Sequence, residues 1–305
     1  MYDIIIVGAG TAGLTAAIYG RRAGKNVVIY ESETYGGQII NTPEIENYPG
    51  IKNVSGYKFA TDLYEQAIAL GADFVYDKIV SIEGDVENGF KLTTEFGKTC
   101  EGRTIILACG AKNRHLGIPL EEKFTGRGVS YCATCDGAFF KGKTVAVNGG
   151  GNTALEDAIY LSALASKVYL IHRRDAFRGE QALVDIVKSK DNIELVLDST
   201  VKELKGEKRL EGIVVKDTVT SGERDIATDA LFVAIGQVPS NGPFTSLVNC
   251  DEAGYIIAGE DCKTNVPGIF AAGDGRTKTL RQLTTAAADG AVSAVAACDI
   301  LTHLG

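Results

Sequence analysis

Tyr2-Asp3-Ile4-Ile5-Ile6-Val7-Gly8-Ala9-Gly10-Thr11-Ala12-Gly13 is the stretch from which the fold is read. Residues 2–7 are apolar without clean alternation, as expected of a strand covered on both faces in a parallel sheet. They run into a Gly-x-Gly-x-x-Gly turn, and residues 14–22 continue with helical periodicity. Strand, turn and helix in this order make a dinucleotide fingerprint. Gly8 forms the tight turn, Gly10 lets backbone approach a pyrophosphate, and Gly13 lets helix and strand pack closely. Thr11 and Ala12 stand at the helix N-terminus, where backbone N–H groups meet phosphates. A second strand, residues 26–30, ends in Glu31, a carboxylate about 20 residues past the glycines and suited to an unmodified ribose.

The pattern occurs twice. Residues 143–147 form a strand leading to Gly149-Gly150-Gly151-Asn152-Thr153-Ala154, a Gly-x-Gly-x-x-Ala version of the turn, followed by a helix over 154–164. The next strand, 167–171, ends in His172-Arg173-Arg174, in the register where the first copy carries Glu31. A guanidinium there favours a ribose bearing a 2'-phosphate, which arginine holds bidentately, so NADPH is expected over NADH. Arg178 adds a third positive group. A solvated basic turn is the plainer reading of the same residues.

Between the fingerprints lies Ser130-Tyr131-Cys132-Ala133-Thr134-Cys135-Asp136-Gly137. Two thiols two residues apart can close a small disulfide ring, and a thiol in such a motif is often acidified enough to attack as thiolate. Half a zinc site is the competing reading, but Cys100, Cys109, Cys250, Cys262 and Cys298 are scattered singly and His115, His172 and His303 lie far apart, so no metal is expected. A static disulfide rarely persists in the cytosol, and two unrelated core cysteines leave the adjacent carboxylate unexplained. The location between two nucleotide turns favours redox chemistry, with Asp136 as that carboxylate.

At 305 residues the chain exceeds the usual size of one domain. Turn formers at 113–119 and 236–243 mark two crossovers between domains, and the expected architecture is α/β. Net charge of −8 argues against nucleic acid or an anionic membrane surface as partner. No apolar run approaches the roughly 20 residues needed to span a bilayer. The chain enters a strand directly after Met1, which leaves no room for a leader and points to the cytoplasm. Gly36-Gly37-Gln38 and Glu46-Asn47-Tyr48-Pro49-Gly50 suit a loop wrapped round a bulky cofactor. Gly273-Asp274 follows an apolar strand and precedes Arg281-Gln282 and an Ala-rich helix over about 285–297. Asp274 there is either a helix cap or an acceptor for a ribityl or ribose hydroxyl.

These segments together resemble the low-molecular-weight bacterial thioredoxin reductases over essentially the whole chain. The marks are residues 8–13, 36–38, 46–50, 132–137, 149–154, 172–178, 273–274 and 281–282. The resemblance implies an α/β chain of two Rossmann-like domains, with FAD in a discontinuous one made of residues 1–112 and 241–305, NADPH in the insert 113–240, a homodimer and a thioredoxin-like partner. It further implies that Cys135 faces the flavin, that Cys132 attacks the partner, that Asp136 serves as acid or base, and that the insert turns about hinges near 110–117 and 238–243. Gly8, Gly10, Thr11, Ala12, Gly13, Glu31, Gly37, Gln38, Asn47, Gly273, Asp274, Arg281 and Gln282 would hold the flavin nucleotide. Gly149, Gly151, Asn152, Thr153, Ala154, His172, Arg173, Arg174 and Arg178 would hold the nicotinamide nucleotide. Two departures stand out: Cys109 replaces the usual Thr of an Ala-Thr-Gly turn, and Asn148 replaces an aliphatic residue before the second fingerprint.

Overall fold

The computed structural model describes residues 1–42 and 44–304. It divides into two compact units, Met1–Lys112 with Val238–Gly305, and Asn113–Gln237. The return crossing therefore falls at 237/238, inside the turn-rich stretch 236–243 and three residues before the 240/241 division that the resemblance implies. The reason is local: the crossing segments are not loops. They are strands β7 (Ala111–Asn113) and β16 (Gln237–Pro239), which form a two-stranded ribbon. Ser240 N donates to Gly110 O on one side of the division, and Arg114 N donates to Gly236 O on the other.

In the first unit, β1 (Tyr2–Val7), β2 (Val27–Glu31) and β3 (Asp73–Tyr76) run parallel, with β6 (Thr99–Leu107) on the other side of β1. β6 has two parts. Residues 99–102 pair antiparallel with β5 (Gly89–Thr94), which pairs in turn with β4 (Ile79–Asp85), while residues 105–107 pair parallel with β17 (Ile269–Ala271). Its burial alternates first and is continuous afterwards, so only the second half is an unbroken apolar run.

Alternate residues of β1 point to opposite faces. Ile4 and Ile6 pack with Val27, Ile29 and the helices α1 (Thr11–Arg22) and α7 (Leu283–Leu304). Ile5 and Val7 pack with Val28, Phe90, Leu92, Phe244 and Val248. Ile4, Ile5 and Ile6 are each 0% exposed, and each such side chain contributes about 1.5–3 kcal/mol. On the helical face also lies α2 (Gly56–Ala69), capped by Ser55, whose hydroxyl accepts from Lys58 N at 3.2 Å.

α7 extends well beyond the expected 285–297. Leu283–His303, with hydropathy 1.2, is the one described segment long and apolar enough to cross a bilayer, which corrects the expectation that no such run exists. Its small face lies along α1 instead: a Cβ on Gly290 would stand 2.2 Å from Ala12 O, so only glycine permits this approach.

In the second unit β8 (Val129–Ser130), β9 (Thr144–Asn148), β10 (Lys167–Ile171), β11 (Ile193–Val196) and β15 (Ala230–Val233) form a parallel sheet. Their order across it is β11-β10-β9-β15-β8. Helices α5 (Asn152–Ser162) and α6 (Gln181–Lys188) cover the face of Val145, Val147, Val168 and Leu170. The other face packs Ala146, Leu231 and Val233 against an antiparallel sheet, β12 (Ser199–Lys205), β13 (Gly212–Asp217) and β14 (Glu223–Ala227). The outward residues of β12 and β14 are largely charged and face water. Two short helices, α3 (Glu121–Phe124) and α4 (Ala133–Asp136), flank β8.

Candidate active site

The first glycine turn is built by close approach. Gly8 has φ +105°, and a Cβ there would stand 2.4 Å from Ala108 O at the end of the neighbouring strand; one on Gly13 would stand 1.9 Å from Gly8 O. Gly10 differs, with nothing within 4 Å of the position its Cβ would take. That open space lies at the N-terminus of α1, which has no side-chain cap, so the local dipole and the N–H groups of Thr11 and Ala12 suit an anion.

Glu31 sits at the end of β2 as expected, and both its oxygens also accept backbone N–H groups, from Ala9 at 2.7 Å and Glu33 at 2.8 Å. A carboxylate has about four acceptor positions, so ribose hydroxyls can still bind. Gly36 N donates to Ala9 O at 2.7 Å, which seats Gly37 and Gln38 beside the glycine turn, and Gln38 Nε2 donates to Ala111 O. Asn47 Nδ2 donates to Gln282 Oε1 at 3.1 Å, joining two predicted site residues from opposite ends of the unit.

Asp274 carries two readings, a helix cap or an acceptor for a hydroxyl. It caps no helix: its carboxyl is buried in the 3-10 turn Gly273–Gly275, and its Oδ1 has no hydrogen-bond partner among the described residues. Burial pushes the carboxyl up. An orphaned buried carboxylate oxygen beside an open glycine turn fits a polyhydroxyl chain. Arg281 lies nearby, with its guanidinium 4.2 Å from the centroid of Tyr255 and its Nε donating to Asp274 O at 3.4 Å. Cys109 turns its sulfur inward although the residue keeps some exposed surface, and burial together with Glu31 pushes the thiol up to about 12. It is a protonated packing group.

The second turn repeats the geometry. A Cβ on Gly149 would stand 2.3 Å from Ala234 O and 2.6 Å from Ala154 Cβ, whereas Gly151 has open space. Two expected ligands have other commitments. Asn152 gives Nδ2 to Glu180 Oε1 at 2.9 Å and accepts Glu180 N at 2.8 Å, so it ties the basic loop to the start of α5. His172 is 5% exposed, lies under Gly150, faces Ala176 O at 3.2 Å through Nε2 and stacks on Phe177. Burial holds the imidazole below its usual range, and Arg178, Arg173 and Arg174 act in the same direction. It forms the floor of the turn. Arg173, Arg174 and Arg178 are exposed, and Arg178 N donates to Gly150 O at 2.8 Å, which fixes the basic loop over the glycines. Thr153 is exposed at the first turn of α5, within reach of a ligand.

Cys132 and Cys135 form a disulfide across the first turn of α4. Cys132 is half-buried and Cys135 exposed. Asp136 is oriented by Ser130, whose hydroxyl donates to Asp136 Oδ2 at 2.6 Å and accepts Cys132 N at 3.1 Å. Burial raises the Asp136 carboxyl and the Ser130 hydrogen bond opposes it.

Two groups here escaped the sequence reading. Tyr131 Oη donates to Glu121 Oε1 at 2.8 Å and lies 3.0 Å from His115 Nδ1. Glu121, 3% exposed, also accepts Leu116 N and Gly117 N, so the residue before Cys132 is anchored to the chain just after the crossing. Nothing in the spacing of these residues announces the contact. Among the described residues there is no cluster of metal-ligating groups.

A family model for the pyridine nucleotide-disulphide oxidoreductases matches residues 2–290. A thioredoxin reductase of Mycoplasma genitalium is 43% identical over 291 residues, covering 95% of this chain and 92% of that protein. One from Listeria monocytogenes is 42% identical over 294 residues, covering 96% and 92%. The crystal structure of thioredoxin reductase from Streptococcus pyogenes matches with a TM-score of 0.95 at 40% identity, covering 99% of both chains.

Proposed function

The chain belongs to the pyridine nucleotide-disulphide oxidoreductases, and from that premise we propose that it passes electrons from NADPH through FAD and the Cys132-Cys135 disulfide to thioredoxin. It is a thioredoxin-disulfide reductase that uses a flavin and a nicotinamide nucleotide. The observation that carries the finer reading is the formed disulfide, held against an oriented carboxyl, in a chain with two open glycine turns.

In this reading FAD is held in the first unit by Gly8, Gly10, Thr11, Ala12, Gly13, Glu31, Gly37, Gln38, Asn47, Gly273, Asp274, Arg281 and Gln282. NADPH would be held in the second by Gly149, Gly151, Asn152, Thr153 and Ala154, with Arg173, Arg174 and Arg178 on the 2'-phosphate and His172 as the floor of the turn. The bound flavin would supply the transfer of an electron pair from nicotinamide to the sulfur bridge.

The protein's own residues do the rest. Once the bridge is reduced, the Cys132 thiolate attacks one sulfur of the thioredoxin disulfide. The thioredoxin S–S bond breaks, a mixed disulfide to Cys132 forms, and the departing thiolate takes a proton from Asp136. The ionised Asp136 then takes the Cys135 proton, the Cys135 thiolate attacks the Cys132 sulfur and re-forms the Cys132-Cys135 bridge, and the second thioredoxin sulfur leaves as a thiolate that recovers the proton from Asp136. The same reading includes a homodimer acting in the cytoplasm.

Replacing either cysteine by Ser tests the scheme. Both variants should keep reduction of the flavin by NADPH and lose thioredoxin reduction, and only the Cys135→Ser protein should accumulate a mixed disulfide with thioredoxin. Thioredoxin turnover that survived in either variant would make the bridge incidental, and trapping by Cys132→Ser instead would exchange the two roles.

A further inference from the structure

Three charged groups are buried together beside the 3-10 turn that carries Asp274. Asp289 of α7 accepts Gly273 N at 2.9 Å, Arg276 Nε and Nη2 at 2.8 Å each, and Lys278 Nζ at 2.8 Å. The side chains of Arg276, Lys278 and Asp289 are 2%, 5% and 6% exposed. Two cations against one anion leave a positive charge in excess, and a buried charge without compensation is costly.

Glu260 does not supply the balance. It reaches Arg276 only at 3.6 Å and is 97% exposed, so water screens it. Cys262 does not either: its Sγ donates to Asp289 O at 3.6 Å, and burial pushes the thiol up to about 12, which keeps it neutral. Asp274 remains. Its carboxyl is buried with Oδ1 unpartnered among the described residues; burial raises it, Lys278 and Arg281 pull it down and Asp289 adds to the rise. Arg281 spreads its charge over the Tyr255 ring and spends its Nε on a backbone oxygen. Lys278 is the cation that the buried network brings to this turn, since the Asp289 oxygen that accepts its ammonium also accepts the N–H of Gly273, the residue before Asp274.

We propose that Lys278 is a positioning residue for the flavin: its ammonium, in excess of what Asp289 neutralises against Arg276, holds the Asp274 carboxylate ionised, so that the orphaned oxygen accepts a charge-assisted hydrogen bond from a ribityl hydroxyl. Such bonds are roughly twice as strong as neutral ones, so affinity follows the ionisation of Asp274. This rests on the reading that the first unit binds a flavin.

The test is the dissociation constant of FAD from flavin-stripped protein, followed by flavin fluorescence between pH 5.5 and 9, in the wild type and in Lys278→Met. The variant keeps Asp289 paired with Arg276 and Gly273 N. The two proteins should bind alike at pH 9, and as pH falls K278M should weaken first, to roughly tenfold below the wild type, the effect of removing one nearby charge. Lys278→Gln, whose amide can still donate to Asp289, takes its place if the Met protein does not fold, and Lys278→Arg should restore the wild-type curve. In an Asp274→Asn background the pH-dependent difference should vanish. A constant ratio of affinities at every pH, or a pH-dependent difference that persists in the Asn background, would overturn the assignment alone. A wild type that takes up no FAD at any pH would overturn the flavin reading and this assignment with it.

Discussion

Removing the Ser130 hydroxyl isolates the acid-base step. In Ser130→Ala the Asp136 carboxyl loses a donor at 2.6 Å, and burial, which raises it, acts unopposed. A hydrogen bond to a charged group contributes about 1.5–3 kcal/mol, and about 1.36 kcal/mol corresponds to a tenfold change in a protonation ratio. At any fixed pH the ratio of protonated to ionised Asp136 should therefore rise between roughly tenfold and a hundredfold. Asp136 must carry its proton to give it to the departing thiolate, so exchange declines as pH rises and Asp136 ionises. The variant, which holds the proton more firmly, should keep exchange to higher pH. The assay is stopped-flow mixing of prereduced enzyme with oxidised thioredoxin across the pH range in which the protein is folded, with flavin reduction by NADPH as the internal control. Ser130→Thr keeps a hydroxyl and should return the wild-type profile. An alkaline limb that stays in place in Ser130→Ala, or moves to lower pH, would refute the role given to the Ser130-Asp136 pair.

Two further outcomes follow from the second unit. Replacing Arg173 and Arg174 by Gln should raise the KM for NADPH by roughly ten- to a hundredfold, since charge-assisted bonds to the 2'-phosphate are lost, and leave the KM for NADH nearly unchanged; equal effects on both would remove the phosphate contact. Asp157 on α5 is pushed by burial from 3.8 to about 7, with Glu156 adding to the rise. Because the folded value is raised, the native state favours the neutral carboxyl: its contribution to stability is full below about 4 and is lost as pH rises through 7. The ceiling on that loss is about 4 kcal/mol. Asp157→Asn should therefore gain thermal stability relative to the wild type between pH 5 and pH 8, and parallel pH curves for the two proteins would sink the reasoning.

The two nucleotide turns and the sulfur pair were readable in the chain because each is specified within a short window. Gly8 is forced by a positive φ and by Ala108 O, Gly13 by Gly8 O, and Cys132 and Cys135 by the reach of one helical turn. The fates of Asn152 and His172 were not readable. Their positions in the motif are those of ligands, yet Glu180 takes the amide and Gly150 covers the imidazole. β12 and β14 were missed because their outward residues are charged, and only the sheet opposite makes their inward residues a core.

What the sequence determined by itself was the order of chemistry along the chain: nucleotide turn, sulfur bridge, second nucleotide turn, each encoded by local backbone geometry and by residue types with one use. Only the folded structure brought Asp289 to Gly273, Arg276 and Lys278, and Tyr131 to Glu121 and His115. Those partners are separated along the chain and share no periodicity. They meet because helix and strand packing carries them together, and once buried there each charge and hydroxyl must find a partner.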